Sequence, residues 1–567
     1  MRPCFALFLC TFLLVFQALR PAPASASPET ADATAKALEA AEPLAEETAT
    51  AAPRFEIKRY EVAGTQLYSR DVLSWTLHQF TGPGRSGEDV EAARAYLQRE
   101  FERVGYPTLI VIIPEQTISD GIVKLEVIEG TIGEVRVVGN KHYSEKWLKG
   151  FFPDLKPGKP LNQPEMARAL EKVNRNPNHQ VAAVLSPGKD PRTTDLELRV
   201  QDRSPWHGRV ELNNYATPET PDLRTLVALQ YSNLWGREHV VTGSWQTSPQ
   251  DTDAVKAYAG SYFMPLPWWG HSLTFYGAYS DSQSVFQVPD ISVLFGSFGK
   301  GKIFGARYVM PLWDIGDYEH KITLGVDYQD LEQSLVVFGT QTAASPDIVI
   351  DSPVRYMPFL VGYNGELTDP YGVTALFANL NFNFANILPD LDNDKAFEAR
   401  RPGSSANYVY ATLGISRTQR LWRNWTAYVE VDGQVANGPL IDSEAFRAGG
   451  IESVRGFKEQ VLLGDEGFHG TAEIRTPLVP TPIPRRLKSQ LQFVVFSDNA
   501  RLSLLSTSKK TSLEERINSL GAGVRFSILE KLFVKFDYGW PVNLNKEDQS
   551  LDPGAPGLGN FTVFLQF

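Results

Sequence analysis

From residue 204 to the C-terminus, the chain is a succession of segments of about ten residues in which apolar and polar side chains alternate. Gly, Pro, Asn and Asp separate them, and the first five are residues 209–215, 223–231, 239–247, 255–262 and 272–279. Strict alternation is typical of a β-strand with one apolar face, and ten residues match a tilted strand that crosses a bilayer. At roughly 23 residues per strand and turn, this region accommodates about 16 antiparallel strands. The pattern predicts a transmembrane β-barrel.

A large soluble all-β protein would also alternate, but three features favour the membrane barrel. Connections are unequal, with a tight one at Leu529-Glu530 and a long polar one over 339–353. Residues 561–567 end the chain on the aromatic Phe567, and a closed barrel requires this last strand to pair with the first, near 209–215. The third feature is the position of tryptophans near segment ends, where lipid interfaces would fall. These are Trp235, Trp245, Trp268, Trp269, Trp313, Trp422, Trp425 and Trp540.

The N-terminus predicts export. Arg2 precedes an apolar run over residues 4–19, and Ala24-Ser25-Ala26 follows, which is typical of a signal peptide cut after Ala26. Both cysteines, Cys4 and Cys10, lie in this segment, so a mature chain would have no disulfide, cysteine-ligated zinc or cysteine nucleophile. The eight histidines show no HExxH spacing, and no cofactor is expected.

Net charge and hydropathy restrict both the class of binding partner and the way in which the chain could cross a membrane. The formal charge is −11, and losing Arg2 and Arg20 with the signal peptide makes it −13, which argues against nucleic acid. After the N-terminus no stretch approaches 18 consecutive apolar residues, so the mature chain is soluble or crosses a membrane as strands.

Ahead of the barrel region lie two copies of one small pattern. Gly64 and Tyr68 recur as Gly139 and Tyr143, an offset of 75 residues that indicates duplicated domains. Each copy predicts the order β-α-α-β-β. In the first copy, strands over 55–62, 109–113 and 122–128 enclose two helices, the second with a capping box at Ser86 and Asp89 and a stripe of Val90, Ala93, Leu97, Phe101 and Val104. In the second, strands over 133–138, 180–185 and 194–200 enclose a helix from Ser144 and a helix capped by Asn162.

Motifs distributed over nearly the whole mature chain carry a family resemblance. They are Gly105-Tyr106, Pro114-Glu115-Gln116, Asp120-Gly121, Glu129-Gly130, Leu161-Asn162, residues 174–177, Pro187-Gly188, Thr194-Asp195-Leu196, Val454-Arg455-Gly456-Phe457, residues 496–498 and 519–526, and Phe567. In this order they resemble the two-partner secretion transporters, the TpsB family of haemolysin secretion/activation proteins (ShlB/FhaC/HecB-like), related to the insertase BamA.

The resemblance implies a domain plan. Residues 1–26 are the signal peptide, and the Ala/Glu-rich residues 27–53 form a linker or a helix that plugs the pore. Two polypeptide-transport-associated (POTRA) domains occupy 54–129 and 130–203, and the outer-membrane barrel occupies 204–567.

The implied function is translocation without enzymatic activity. POTRA domains in the periplasm would recognise an unfolded exoprotein, a TpsA-like adhesin or haemolysin, and a barrel with porin-like activity would pass it outward. Other implied partners are outer-membrane lipids, lipopolysaccharide and the barrel-assembly machinery, with Phe567 as the assembly signal. Three alternatives stay open: a BamA-type insertase, an enzyme, for which the sequence offers no GxSxG or metal spacing, and a passive porin.

Two sets of site residues follow from the resemblance. The motif Val454-Arg455-Gly456-Phe457 would fold into the lumen within the connection 438–467, with Arg455 paired to Asp498 on the barrel wall beside Phe496. The alternative is that Arg455 is a solvated loop residue, and Ala500 departs from the glycine common in the family. Strand edges would capture the client through backbone hydrogen bonds, at Leu109, Val111, Ile113, Val181 and Ala183, unless both domains are spacers.

Overall fold

The structure is a computed structural model that describes residues 54–567, apart from residues 66, 119, 219, 267–269, 282–283, 288–293, 299, 333–352, 388–392, 482–487, 506–512 and 543–556. The predicted signal peptide and the linker or plug helix lie outside the described residues, as do Trp268, Trp269 and most of the long connection at 339–353. The chain forms two compact units, described separately below, over 54–104 with 109–129 and over 105–108 with 130–567.

The first unit is a small α/β domain. Its three-stranded sheet has the order β2-β5-β4, with β2 parallel and β4 antiparallel to the central β5. The predicted strand over 55–62 is in fact two strands, because β1 leaves the sheet to pair with the short β3. The elements are β1 (Phe55–Ile57), β2 (Arg59–Ala63), α1 (Arg70–Thr76), β3 (Gly82–Arg85), α2 (Gly87–Arg103), β4 (Leu109–Ile112) and β5 (Ile122–Glu129).

Helix α2 shows why the periodicity predicted it. Ser86 and Asp89 form the expected capping box, and the Asp89 carboxylate accepts the Ser86 N–H at 2.8 Å. The first four residues of the predicted stripe are buried against the sheet. Val104, the fifth, is exposed because it is the C-cap, where the helix face turns away from the core.

The second unit begins with the same arrangement, a sheet of order β6-β8-β7 with β6 parallel to β8. The Asn162 side chain accepts the Glu165 N–H at 3.1 Å and begins the longer helix, as predicted. The elements are β6 (Thr131–Val138), α3 (Glu145–Lys149), α4 (Gln163–Val173), β7 (His179–Pro187) and β8 (Thr193–Asp202).

Sixteen antiparallel strands then close into a barrel, as the alternation predicted. Short segments β18 and β26 pair at the ends of β17 and β27, while β14–β15 and β23–β24 are separate two-stranded ribbons. The strands are β9 (Trp206–Asn213), β10 (Arg224–Leu234), β11 (His239–Thr247), β12 (Lys256–Leu266), β13 (His271–Ser280), β14 (Ser284–Gln287), β15 (Leu294–Phe298), β16 (Gly301–Pro311), β17 (Tyr318–Leu331), β18 (Val354–Tyr356), β19 (Phe359–Asp369), β20 (Gly372–Phe382), β21 (Val409–Arg420), β22 (Thr426–Ala436), β23 (Phe446–Ala448), β24 (Leu462–Gly464), β25 (Glu466–Arg475), β26 (Val479–Pro480), β27 (Ser489–Leu504), β28 (Leu513–Ile528), β29 (Leu532–Pro541) and β30 (Leu558–Gln566).

The faces of the barrel strands have the polarity of a membrane protein. On β9, Val210 and Leu212 are 45% and 38% exposed, whereas the intervening Glu211 is buried with Asn213. On β29, Phe536 is exposed and Asp537 is fully buried. A soluble protein buries the apolar face, so this inverted pattern indicates that the outer surface contacts lipid and the lumen is polar.

The two ends of the barrel differ. At the inner end, where β8 leads into β9, connections are short, with two residues between β19 and β20. At the outer end they are long, and β22 and β25 are joined by residues 437–465. Exposed tryptophans lie in inner-end turns at Trp235, Trp313 and Trp422, as expected for a lipid interface. Among the described helices, none is long and apolar enough to span a bilayer.

Polar contacts connect the second α/β domain to the first barrel hairpin. The Asn178 amide donates to the Ser232 hydroxyl at 3.0 Å, and the buried His179 ring lies 2.7 Å from the Glu238 carboxylate. The Asn233 amide donates to the His142 carbonyl at 2.9 Å. These contacts couple the domain to the inner end of the barrel.

The seam between the last and first strands is formed as predicted, with a shorter ladder than 561–567 against 209–215. Residues 562–566 pair with 209–213. Phe567 and Gly208 then exchange two backbone hydrogen bonds of 3.0 Å each. A side chain at Gly208 would overlap the Phe567 ring, so this glycine makes room for the terminal aromatic residue.

Removing Phe567 is expected to lower the amount of folded barrel in the outer membrane, because the seam loses two hydrogen bonds and the ring packed on Gly208. Gly208→Val should act similarly by displacing the ring, while Phe567→Tyr retains it and serves as the control. Heat-modifiable migration of the membrane fraction measures the folded amount. Wild-type levels for both the truncation and Gly208→Val would contradict this account.

Candidate functional site

The connection between β22 and β25, residues 437–465, folds back into the lumen and is called the lumen loop here. It contains the ribbon β23–β24, more regular structure than its composition suggested. Its Val454 is fully buried in an apolar cluster with Leu462 from the loop and Leu502 from the wall, and Phe457 packs against this cluster. Thus the motif predicted at 454–457 lies inside the barrel.

Arg455 forms a bidentate contact with Asp498. Its Nε and Nη2 atoms donate to the two carboxylate oxygens at 2.7 Å each, and its backbone N–H donates to the same carboxylate at 3.1 Å. Arg455 is 3% exposed and Asp498 is fully buried. Charge-assisted bidentate bonds are strong, and removing one partner of such a buried pair typically costs about 3–5 kcal/mol.

Glu473 on β25 is a second carboxylate for the same guanidinium. Arg455 Nη1 donates to Glu473 Oε1 at 2.5 Å, and Arg475 on the same strand donates to Glu473 Oε2 at 2.7 Å. Sequence reasoning missed this residue. The sequence does show an acidic residue at an inward-facing position of the alternating strand β25. Pairing it with Arg455 also requires the register of β25 against its neighbours, which the sequence does not provide.

Aromatic and glycine residues complete the surroundings of Arg455. The Phe496 ring lies 3.5 Å from the guanidinium carbon in a cation–π contact. Gly456 has a φ of +95°, and a side chain there would meet the backbone of Gly539 on β29 at 2.7 Å. The loop backbone therefore touches the wall at a position where only glycine fits.

Ala500, where the family commonly has glycine, does not disturb this arrangement. Its methyl group is buried in the same cluster as Val454 and Leu502. Ala500 lies on β27, two residues after Asp498, and pairs with His469 on β25.

The proposed client-binding edge of the first unit is occupied by its own helix. Leu109 and Val111 have buried side chains, and β4 ends at Ile112, so Ile113 is not part of the strand. The Gln98 amide donates to the Leu109 carbonyl at 2.8 Å and accepts the Val111 N–H at 2.9 Å. Arg94 donates to the Val111 carbonyl at 3.2 Å. These side chains occupy the hydrogen-bonding positions of a neighbouring strand.

Side-chain hydrogen bonds cover the outer edge of strand β7 in the second unit at Val181. Asn174 accepts the Val181 N–H at 2.7 Å and donates to the Val181 carbonyl at 2.9 Å, so these groups point away from β8. Because backbone direction alternates, the N–H and C=O groups of Ala183 and Leu185 point the same way. They have no partner among the described residues. Ala183 thus belongs to an available edge, whereas Val181 does not.

Two family profiles match this chain. The profile described as "POTRA domain, ShlB-type" matches residues 55–130. The profile described as "Haemolysin secretion/activation protein ShlB/FhaC/HecB" matches residues 192–308 and 362–526, which include the lumen loop and Asp498. Together the matches cover more than half of the chain.

Curated relatives point to the same family of outer-membrane transporters as the profiles, and a solved structure has a similar fold. "Outer membrane transporter CdiB" of Dickeya dadantii is 24% identical over 68% of this chain and 65% of its own length. "Hemolysin transporter protein ShlB" of Serratia marcescens is 23% identical over 68% of this chain and also 65% of its length. The structure of CdiB from Escherichia coli has a TM-score of 0.64 at 19% identity, covering 92% of this chain and 93% of that one, which shows the same fold. The chain belongs to the haemolysin secretion/activation protein family ShlB/FhaC/HecB, whose relatives are outer-membrane transporters.

Proposed function

We propose that this chain captures an unfolded exoprotein in the periplasm and passes it through the barrel to the cell surface or medium. The observation that carries the proposal is the buried contact of Arg455 with Asp498, which holds a loop inside the lumen of a lipid-facing barrel. The domain plan is proposed with it: 1–26 signal peptide, 27–53 linker or plug, 54–129 and 130–203 POTRA domains, and 204–567 barrel.

The lumen loop occupies space that a translocating chain needs. Ordering a long loop costs conformational entropy, and the Arg455 contacts offset part of that cost. Lumen-facing carboxylates at Asp498 and Glu473 would bind the guanidinium only while the loop is inside. We therefore assign Arg455 and its partners to the element that must move when a client enters, with Val454 and Phe457 anchoring the loop in the apolar cluster.

Recognition is assigned to the uncovered part of β7. An extended client can pair with the outward groups of Ala183 and Leu185 regardless of its side chains, which suits an unfolded exoprotein. The edge at Leu109 and Val111 would require Gln98 and Arg94 to be displaced first.

Other roles in the proposal rest on the family. Outer-membrane lipids and lipopolysaccharide surround the barrel, the barrel-assembly machinery inserts it with Phe567 as its signal, and the chain has no catalytic activity. A BamA-type insertase is the second candidate. The structure of BamA from Haemophilus ducreyi has the same fold, with a TM-score of 0.50 at 14% identity over 90% of this chain. The location of the client separates the two: an insertase leaves it in the membrane, and a secretion transporter releases it.

Arg455→Ala is expected to abolish client secretion while the barrel still inserts, because the loop loses its hold on Asp498 and Glu473. The assay co-expresses the chain with a candidate exoprotein, chosen from large secreted-type reading frames near its gene, and measures that exoprotein in the culture fluid. Arg420→Ala, an exposed arginine at the inner end of β21, is the control. Wild-type secretion by Arg455→Ala would contradict the assignment, and a client embedded in the membrane would favour the insertase.

Ala183→Pro is expected to reduce secretion several-fold, because proline removes an outward N–H while an edge strand tolerates it. Ala183→Val keeps the N–H and should secrete normally. Pull-down of the urea-unfolded client by the full chain in detergent measures binding directly. Equal binding by both variants would exclude β7 as the recognition edge.

A further inference from the structure

A short helix covers the outer end of the lumen, in the connection between β20 and β21. It is α5 (Asp394–Arg400), and the Asn393 side chain caps it by accepting the Lys395 N–H at 2.9 Å. Phe397 is fully buried, with its ring 5.4 Å from that of Tyr356 on β18. Leu440 of the lumen loop belongs to the same apolar cluster. Helix α5 therefore packs on the beginning of the lumen loop.

Arg401, directly after this helix, binds the last residues of the lumen loop. Its Nη1 and Nη2 atoms donate to the two carboxylate oxygens of Asp465 at 2.5 and 2.6 Å. The Asp465 side chain is fully buried and that of Arg401 is 8% exposed. Arg401 Nη1 also donates to the Leu440 carbonyl at the other end of the loop.

Asp465 joins three outer connections at one carboxylate. Besides Arg401, it accepts the Leu440 N–H at 2.8 Å and the Leu505 N–H at 2.6 Å. Leu505 belongs to the connection after β27, and Leu440 and Asp465 lie near the two ends of the lumen loop. A carboxylate with four hydrogen bonds and no exposed surface is a fixed point for all three segments.

The neighbouring arginine makes a parallel contact. Arg400 donates to the two carboxylate oxygens of Asp442 at 2.6 and 3.2 Å. Asp442 is the sixth residue of the lumen loop, in the turn before β23. Adjacent arginines on one outer connection thus hold the lumen loop near its beginning and at its end.

We propose that Arg401 and Asp465, supported by Arg400 and Asp442, are positioning residues that hold both ends of the lumen loop so that Arg455 reaches Asp498. A loop with fixed ends loses less entropy when its tip binds, so the outer contact strengthens the inner one. This inference rests on the proposed function and adds to it: export requires release of the α5 contact as well as of Arg455.

The test measures the loop directly, without a client. The full-length protein is displayed in the outer membrane of intact cells, and trypsin cleavage at Arg447, within the lumen loop, is followed over time. Arg401→Ala is expected to speed cleavage roughly tenfold, because opening of the loop becomes more frequent. Arg401→Lys should be intermediate, since an ammonium cannot make the bidentate contact. Lys395→Ala, an exposed residue on the same helix, should behave as wild type.

Conductance of the purified chain in planar bilayers supplies a second readout, with more frequent openings expected for Arg401→Ala. If Arg401→Ala does not assemble, Arg401→Gln, which removes the charge but keeps a polar side chain, tests the same point. Wild-type cleavage and conductance in the assembled variant would overturn the proposal. A different outcome would separate the two proposals. If the wild-type protein secretes no client but Arg401→Ala still speeds cleavage and raises conductance, the proposed function is refuted and the positioning role is kept.

Discussion

The contact between Arg455 and Asp498 is the interaction on which the functional arrangement depends. A guanidinium buried in a lumen is tolerable only with carboxylates at bonding distance, and here Asp498 and Glu473 provide them. Phe496 covers the guanidinium, and the glycine at 456 lets the loop backbone touch β29. The loop is therefore held in one defined position by charge and close contact together.

The contact between Arg455 and Asp498 depends on closure of the barrel, because closure creates the lumen in which both residues lie. Backbone groups in lipid need internal partners, and pairing of β30 with β9 closes the ring of described strands. Apolar residues such as Val210 then face outward, so polar and charged residues such as Glu211 must face the lumen. The same alternation that inserts the barrel creates the polar interior in which an arginine on a loop can find carboxylates.

Much of the fold could be predicted from the sequence, because alternation and capping are local signals. Strand β11 and the capping box of α2 were predicted at their observed positions. Arg455 and Asp498 were proposed as partners through family motifs, and geometry brings them together. Glu473 and Asp465 were not foreseen as partners of arginines, because their roles depend on strand register and on which long connections meet at the outer end. The hydrogen bonds from Gln98 to the backbone of Leu109 and Val111 could not be predicted either, because contacts between a helix side chain and a strand edge leave no periodic pattern in the sequence.

The most direct test is a reversible tether between the lumen loop and the wall. The only cysteines of the chain are Cys4 and Cys10, so Ser453→Cys with Thr471→Cys introduces a single pair where the Thr471 hydroxyl donates to the Ser453 carbonyl at 3.5 Å. If the loop must move during export, the oxidised protein stops secreting the client and reduction restores secretion. Undiminished secretion by fully oxidised protein would contradict the account.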